Sequence, residues 1–193
     1  MTEYKTILGY IATIIALFSY AIYFYGIFVG KTKPHAFTWF VWGTLNAIGF
    51  AAVTVAGGGN GAWVLAVNFL CNYAIAGIAF YQRRVKFVLF DWLALTGAIL
   101  AIFLWWLTSN PLTAVIFISL SDSIGFLPTF RKAYHWPFEE NVTSFFVGLV
   151  YYILAILALQ LFTITTWLYP VVIVVVDVIF VLMVLIRRKQ IKS

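Results

Sequence analysis

Residues 119–140 read SLSDSIGFLPTFRKAYHWPFEE and open inside an apolar run that covers 111–131. Asp122 stands about ten residues from each end of that run, and Pro128 stands in its last third. The run closes on Arg131 and Lys132, and a loop with Pro137, Glu139 and Glu140 follows. A carboxylate in the middle of a hydrophobic span costs roughly 3 kcal/mol on insertion, so it needs a partner or a role. Proline removes a backbone hydrogen bond and crowds the preceding turn, which makes Pro128 the expected hinge of this helix. An ionisable group close to a hinge, inside a span, points to a membrane protein that moves.

The stretch has an echo upstream. Residues 17–43 read LFSYAIYFYGIFVGKTKPHAFTWFVWG, and residues 120–148 read LSDSIGFLPTFRKAYHWPFEENVTSFFVG. Leu17 matches Leu120, Pro34 matches Pro137, Thr38 matches Thr143 and Gly43 matches Gly148. The offset is 103 before the loop and 105 after it, so the second copy carries two extra loop residues. At offset 105, Asn72 falls on Asp177 and Arg83-Arg84 fall on Arg188-Lys189. The order of these matches, on a shared layout of helix, basic loop and helix, predicts an internal repeat.

Composition agrees with a membrane protein. Of 193 residues, 64% are hydrophobic and only 9% charged, where ordinary soluble chains are about 25% charged. Mean hydropathy is +1.03. The single cysteine, Cys71, makes no intrachain disulfide and belongs to no metal-ligand spacing. The opening MTEYK is not a basic leader region, so the first helix is expected to be retained.

Seven apolar runs are long enough to span a bilayer, at about 20 residues apiece. They cover 6–29, 36–56, 61–81, 88–107, 111–131, 142–162 and 167–186. None alternates like a barrel strand, and the connectors are too short to hold a domain. Eleven of the twelve Lys and Arg residues fall on one side of the resulting zigzag, and only Lys5 falls on the other. Positive charge marks the cytoplasmic side. The expectation is therefore a multi-pass protein of the cell (inner) membrane with its N-terminus outside and its C-terminus in the cytoplasm. The net charge of +6 belongs to topology and not to nucleic acid. The sequon Asn141-Val142-Thr143 lies on the wrong side for glycosylation.

A repeat spaced by 103–105 residues within seven helices means three helices, one helix and three helices. The odd linker helix brings the copies into the same direction, a known plan for transporters with parallel repeats. The predicted fold is all-α: a triple-helix bundle over 6–81, a linker helix over 88–107, a second triple-helix bundle over 111–186, and a cytoplasmic basic tail over 187–193.

This plan, with Pro128-Thr129 at the place of a Pro-Gln pair in the first helix of the second repeat, resembles the SWEET, SemiSWEET and PQ-loop transporters. The architecture is also similar to that of PnuC vitamin-uptake proteins. The first repeat carries Tyr25-Gly26 at that place, a departure from the pattern. The resemblance implies helix order 1-3-2 within each repeat, which would make helices 5 and 7 neighbours. It also implies a pocket with Trp on the second helix and Asn on the third helix of a repeat.

Depth selects the candidate residues. Ser19, Asn46, Asn72, Asp122, Tyr151 and Asp177 each lie near the middle of a predicted helix. Two carboxylates close together in low dielectric cannot both ionise easily. No lysine or arginine shares their depth, which favours proton carriage, a bound cation or an amine substrate. Asn68 and Asn72 lie four apart on one face of helix 3, and Trp39, Trp42 and Asn46 share a face of helix 2. A ring one turn from an amide suits a ligand that both stacks and hydrogen-bonds, although Trp39 also fits an interfacial aromatic belt. Asp91, one turn into helix 4 near Lys86, reads as a cap or ion pair. Gly26 and Gly30 read as close packing, and His35 and His135 as surface residues. Glu139 and Glu140 are candidates for a latch to Arg131, Lys132 or Lys33.

The function expected from this is a small-molecule transporter working by alternating access, proton-coupled, with a small, polar, cationic or zwitterionic substrate. The alternative is a non-transporting receptor or regulatory membrane protein of the same fold. A retinal protein is excluded because the middle of helix 7 holds Asp177 and not lysine. An enzyme is not expected, since HExxH, a Ser-Lys pair and paired metal ligands are all missing from the sequence. No cofactor and no metal site are expected. The expected partners are the substrate, protons, membrane lipid and a second copy of the chain, with no nucleic acid.

Overall fold

The computed structural model describes residues 2–30, 34, 36–82, 89–138 and 142–192. It is all-helical among them: α1 (Thr2–Phe28), α2 (Ala36–Val55), a 3₁₀ turn (Gly59–Ala62), α3 (Trp63–Tyr81), α4 (Leu89–Thr108), α5 (Pro111–His135), α6 (Val142–Leu157) and α7 (Ile164–Lys192). Six of these are long and apolar enough to cross a membrane, and α6 is a shorter apolar helix. The exposed surface requires lipid. On α1, Ile14, Phe18 and Ile22 form a stripe at four-residue spacing, each more than half exposed. Small residues line the helix contacts, as they do where bundles form without a water-driven hydrophobic force. Ala94, Ala98 and Ala101 of α4 are fully covered, and Gly97 abuts the Ser121 side chain of α5.

Capping groups explain the boundaries. Helix α2 ends in a Schellman motif: Gly58 N donates to Val53 O at 2.8 Å and Gly57 N to Thr54 O at 3.0 Å. Gly57 takes φ +81°, which favours glycine because a Cβ crowds the left-handed region. Helix α5 starts with Asn110 as its cap, whose Oδ1 accepts the Leu112 N–H at 2.9 Å, and with Pro111 in the first turn. Helix α7 starts at Ile164, before the expected residue 167, because Thr166 Oγ1 accepts the Thr163 N–H at 2.9 Å. That is the reciprocal arm of a capping box, with threonine in the role of the usual Glu or Gln. Gly30, expected as one end of a packing pair, follows α1 with φ +75° and closes it.

Other expected ends moved as well. Helix α6 stops at Leu157 and not near residue 162, because the next stretch pairs its backbone elsewhere. Gln160 N donates to Gly58 O at 3.1 Å and Leu161 N to Gly57 O at 3.2 Å. Residues 187–192, expected as a tail, continue α7 as helix. Arg187 Nε donates to Tyr134 O at 3.1 Å, and its guanidinium lies 4.2 Å over the Tyr134 ring. Arg188 Nε donates to Pro137 O at 2.9 Å.

Helix α3 packs against both α1 and α2, whose backbones stay apart, and α7 packs in the same way against α5 and α6. Helix α4 covers α5 and part of α2. The remaining contacts come in matching pairs: α1 with α6 and α2 with α5, then α2 with α7 and α3 with α6. The start of α1, the α2–α3 turn and the α6–α7 connection meet at one end of the bundle, called the N-face below. The end of α7 and the α5–α6 connection meet at the opposite end, the C-face.

Candidate functional site

Polar side chains collect at the centre of the bundle. Asp122 on α5 and Asp177 on α7 are buried, 8% and 7% exposed, on helices that pack against each other. Among the described residues no hydrogen bond or ion pair reaches either carboxyl. The serines beside Asp122 do not help it, because Ser119, Ser121 and Ser123 donate to the carbonyls of Val115, Phe117 and Ser119 in their own helix. Gly148 of α6 leaves open space beside Asp177. A Cβ there would lie 3.4 Å from Asp177 Oδ2 and 3.9 Å from the Tyr151 hydroxyl, so both groups face the same point.

Two neutral hydrogen-bonded groups flank the carboxylates. Tyr20 of α1 donates to Asn72 Oδ1 of α3 at 2.8 Å. Closer to the N-face, Asn68 Nδ2 donates to the Tyr152 hydroxyl at 2.6 Å, and Tyr152 donates to Asn46 Oδ1 at 3.3 Å. Asn46 Nδ2 closes the chain on Trp42 O at 2.9 Å. This chain joins α2, α3 and α6. It leaves two buried atoms unpaired, Asn68 Oδ1 and the Tyr169 hydroxyl. Leaving a buried polar atom unsatisfied costs about 1–3 kcal/mol. Asp122, Asp177, Asn68 Oδ1 and the Tyr169 hydroxyl therefore leave hydrogen-bonding capacity unused among the described residues.

Aromatic side chains lie on both sides of the centre. Towards the C-face, Phe126 lies one turn from Asp122 and Phe180 one turn from Asp177. With Phe130 and Phe145 they form a plug whose ring centroids lie 4.4–5.8 Å apart. Trp42 stacks on Phe126 at 6.3 Å and continues to Trp39 and Tyr23. Towards the N-face, Tyr169 packs against the Gly49 position and the glycine turn sits above.

The structure thus brings Asp122, Asp177, Asn46, Asn68, Asn72, Trp42 and Tyr151 into one central region. Ser19 is half-buried beside Tyr20 in sequence, and no described hydrogen bond joins it to the group. Helix α5 runs unbroken through position 128, whose side chain lies outside the described residues. Lys31, Lys33, His35, Lys86, Glu139 and Glu140 also lie outside them, so the expected latch is not described. Asp91 is buried and accepts the Thr38 hydroxyl at 2.8 Å, a structural role. The sequence reading missed Tyr20, Tyr152 and Tyr169. Tyr20 and Tyr152 lie deep in their apolar runs, which was the available signal, whereas Tyr169 stands at the start of the run 167–186 and gave none. An apolar hollow of about 330 Å³ on the exposed face of α4, lined by Ile99, Ile102, Phe103 and Trp106, offers no chemistry.

Fold and centre together define a multi-pass helical membrane protein with an enclosed polar core. No family model, no curated protein and no solved structure matches the chain.

Proposed function

We propose that the chain is a small-molecule transporter that works by alternating access, with Asp122 and Asp177 carrying a proton between the two faces. The observation that carries this reading is the pair of buried, unpartnered carboxylates on adjacent helices. Among the described residues no cation lies at their depth. An arrangement with acceptors in excess takes a proton, a cation or an ammonium group, so the substrate is small, polar, and cationic or zwitterionic.

The 3+1+3 plan of the SWEET and PQ-loop group belongs to the same proposal. The helix contacts support it, since exchanging α1, α2, α3 for α5, α6, α7 maps each contact between the halves onto another. At the offsets of 103 and 105, Ser19 and Asn72 correspond to Asp122 and Asp177. The first half then holds a neutral Tyr20–Asn72 pair where the second holds the acids. In this reading the second half alone responds to protons. The N-face is extracellular and the basic C-face cytoplasmic. The polar centre opens alternately past the glycine turn and past the phenylalanine plug.

The test is Asp122→Asn, with Asp177→Asn beside it, in reconstituted vesicles carrying an imposed pH gradient. The variants keep the shape and remove the titration. Uptake should lose its dependence on the gradient while exchange of substrate across the membrane survives. Weaker binding with an unchanged pH response would make the acids an amine site without proton coupling. Two variants that bind and transport as the parent does would leave the carboxylates structural and move the site to Trp42, Asn46 and Asn72. Binding without any flux would favour the receptor reading.

A further inference from the structure

Lys5 is the one basic residue on its side of the seven-helix zigzag. Its ammonium donates to Leu159 O at 2.8 Å and to Gln160 O at 3.3 Å. Both carbonyls lie beyond the last turn of α6, where the Gln160 and Leu161 N–H groups are spent on Gly58 and Gly57. The start of α1 is also tied to its own half: Asn60 Nδ2 donates to Thr6 Oγ1 at 2.7 Å, and Tyr10 packs edge-on against Trp63 at 5.0 Å. A rigid unit made of the α1 start and the α2–α3 turn therefore faces the α6–α7 connection. Two sets of bonds cross between them. One is the backbone pairing of residues 57–58 with 160–161. The other is Lys5, the only crossing made by a charged side chain among the described residues.

We infer that Lys5 is the positioning residue that latches the N-face shut, and that releasing its ammonium from the Leu159 and Gln160 carbonyls is a required step in opening that face. The side chain is half-buried, so its head exchanges carbonyl for water over a short path with its stem still packed. A cation on carbonyls beyond a helix end is also favoured by the field of that end. The latch rests on the reading of the molecule as one that opens at both faces, and it adds the residue that holds one of them.

The experiment reads access and not transport. In a Cys71→Ser background, Val64→Cys places a near-isosteric reporter at a fully buried position one turn below Asn60. A membrane-impermeant methanethiosulfonate is applied to the face that carries the N-terminus. Lys5→Met keeps the stem and removes the donors, and should raise the labelling rate about tenfold, as expected for losing a charge-assisted bond. Lys5→Arg should label at close to the parent rate. Lys5→Gln, with one neutral donor group, should fall between and serves if the methionine variant is not recovered folded. Labelling of Lys5→Met and Lys5→Gln at the parent rate would overturn the latch. Faster labelling in a protein that moves no solute would leave the latch standing and sink the transport reading instead.

Discussion

At the scale of single residues the two aspartates dominate, because no described residue bonds to either of them. The tyrosines around them make graded tests of the same centre. Tyr152→Phe removes the hydroxyl that links Asn68 to Asn46 and strands two amides in a dry core. The expected loss is about 1–3 kcal/mol, read as a lower unfolding temperature in detergent. Tyr169→Phe should cost far less, or stabilise, since its hydroxyl has no partner to lose. If Tyr169→Phe nonetheless weakens substrate binding, the hydroxyl touches the ligand. Asp122, Asp177, Asn46, Asn68 and Asn72 were readable from the sequence because an amide or acid stands out against an apolar run. Tyr20, Tyr152 and Tyr169 were not, because tyrosine serves equally in interfacial belts. Only the packing of five helices shows which tyrosines turn inward.

Elements were legible in number and blurred at their ends. An apolar run reports bilayer thickness directly, so each run marked one helix. Where a helix stops depends on groups that cap it or compete for its backbone. No hydrophobic pattern encodes that Gly57 and Gly58 take the N–H groups of Leu161 and Gln160 and end α6 early. The same holds for Thr166, which starts α7 sooner. A contrast between two glycines checks this account. Gly57→Ala forces a Cβ into φ +81° and onto the Leu161 side chain, at roughly 1–2 kcal/mol for the backbone alone. Gly77→Ala sits in α3 with nothing within 4 Å of its new methyl, and should stabilise by up to about 1 kcal/mol. Thermal unfolding of the two purified variants should move in opposite directions. A common direction would mean that the turn does not hold the N-face together.

For the whole molecule, the orientation proposal meets a simple measurement. A cysteine placed at Thr2 should react with an impermeant reagent on intact cells, and one at Ser193 should not. The reverse pattern would exchange the roles of the two faces. Residues 6–81 should superpose on 111–186 without inverting either one, bringing Asn72 close to Asp177. The short sixth helix has a consequence of another kind. Its 16 residues, at 1.5 Å each, reach about 24 Å, whereas a hydrocarbon core is about 30 Å thick. If α6 spans the bilayer, lipids beside it would shorten their chains or tilt to meet it, at a fraction of a kcal/mol per Å of mismatch. The surrounding bilayer would then bear on the protein as a spring, compressed along one flank. Vesicles of short-chain lipid should relax that flank and long-chain lipid should load it, so unfolding temperature should fall as acyl length grows.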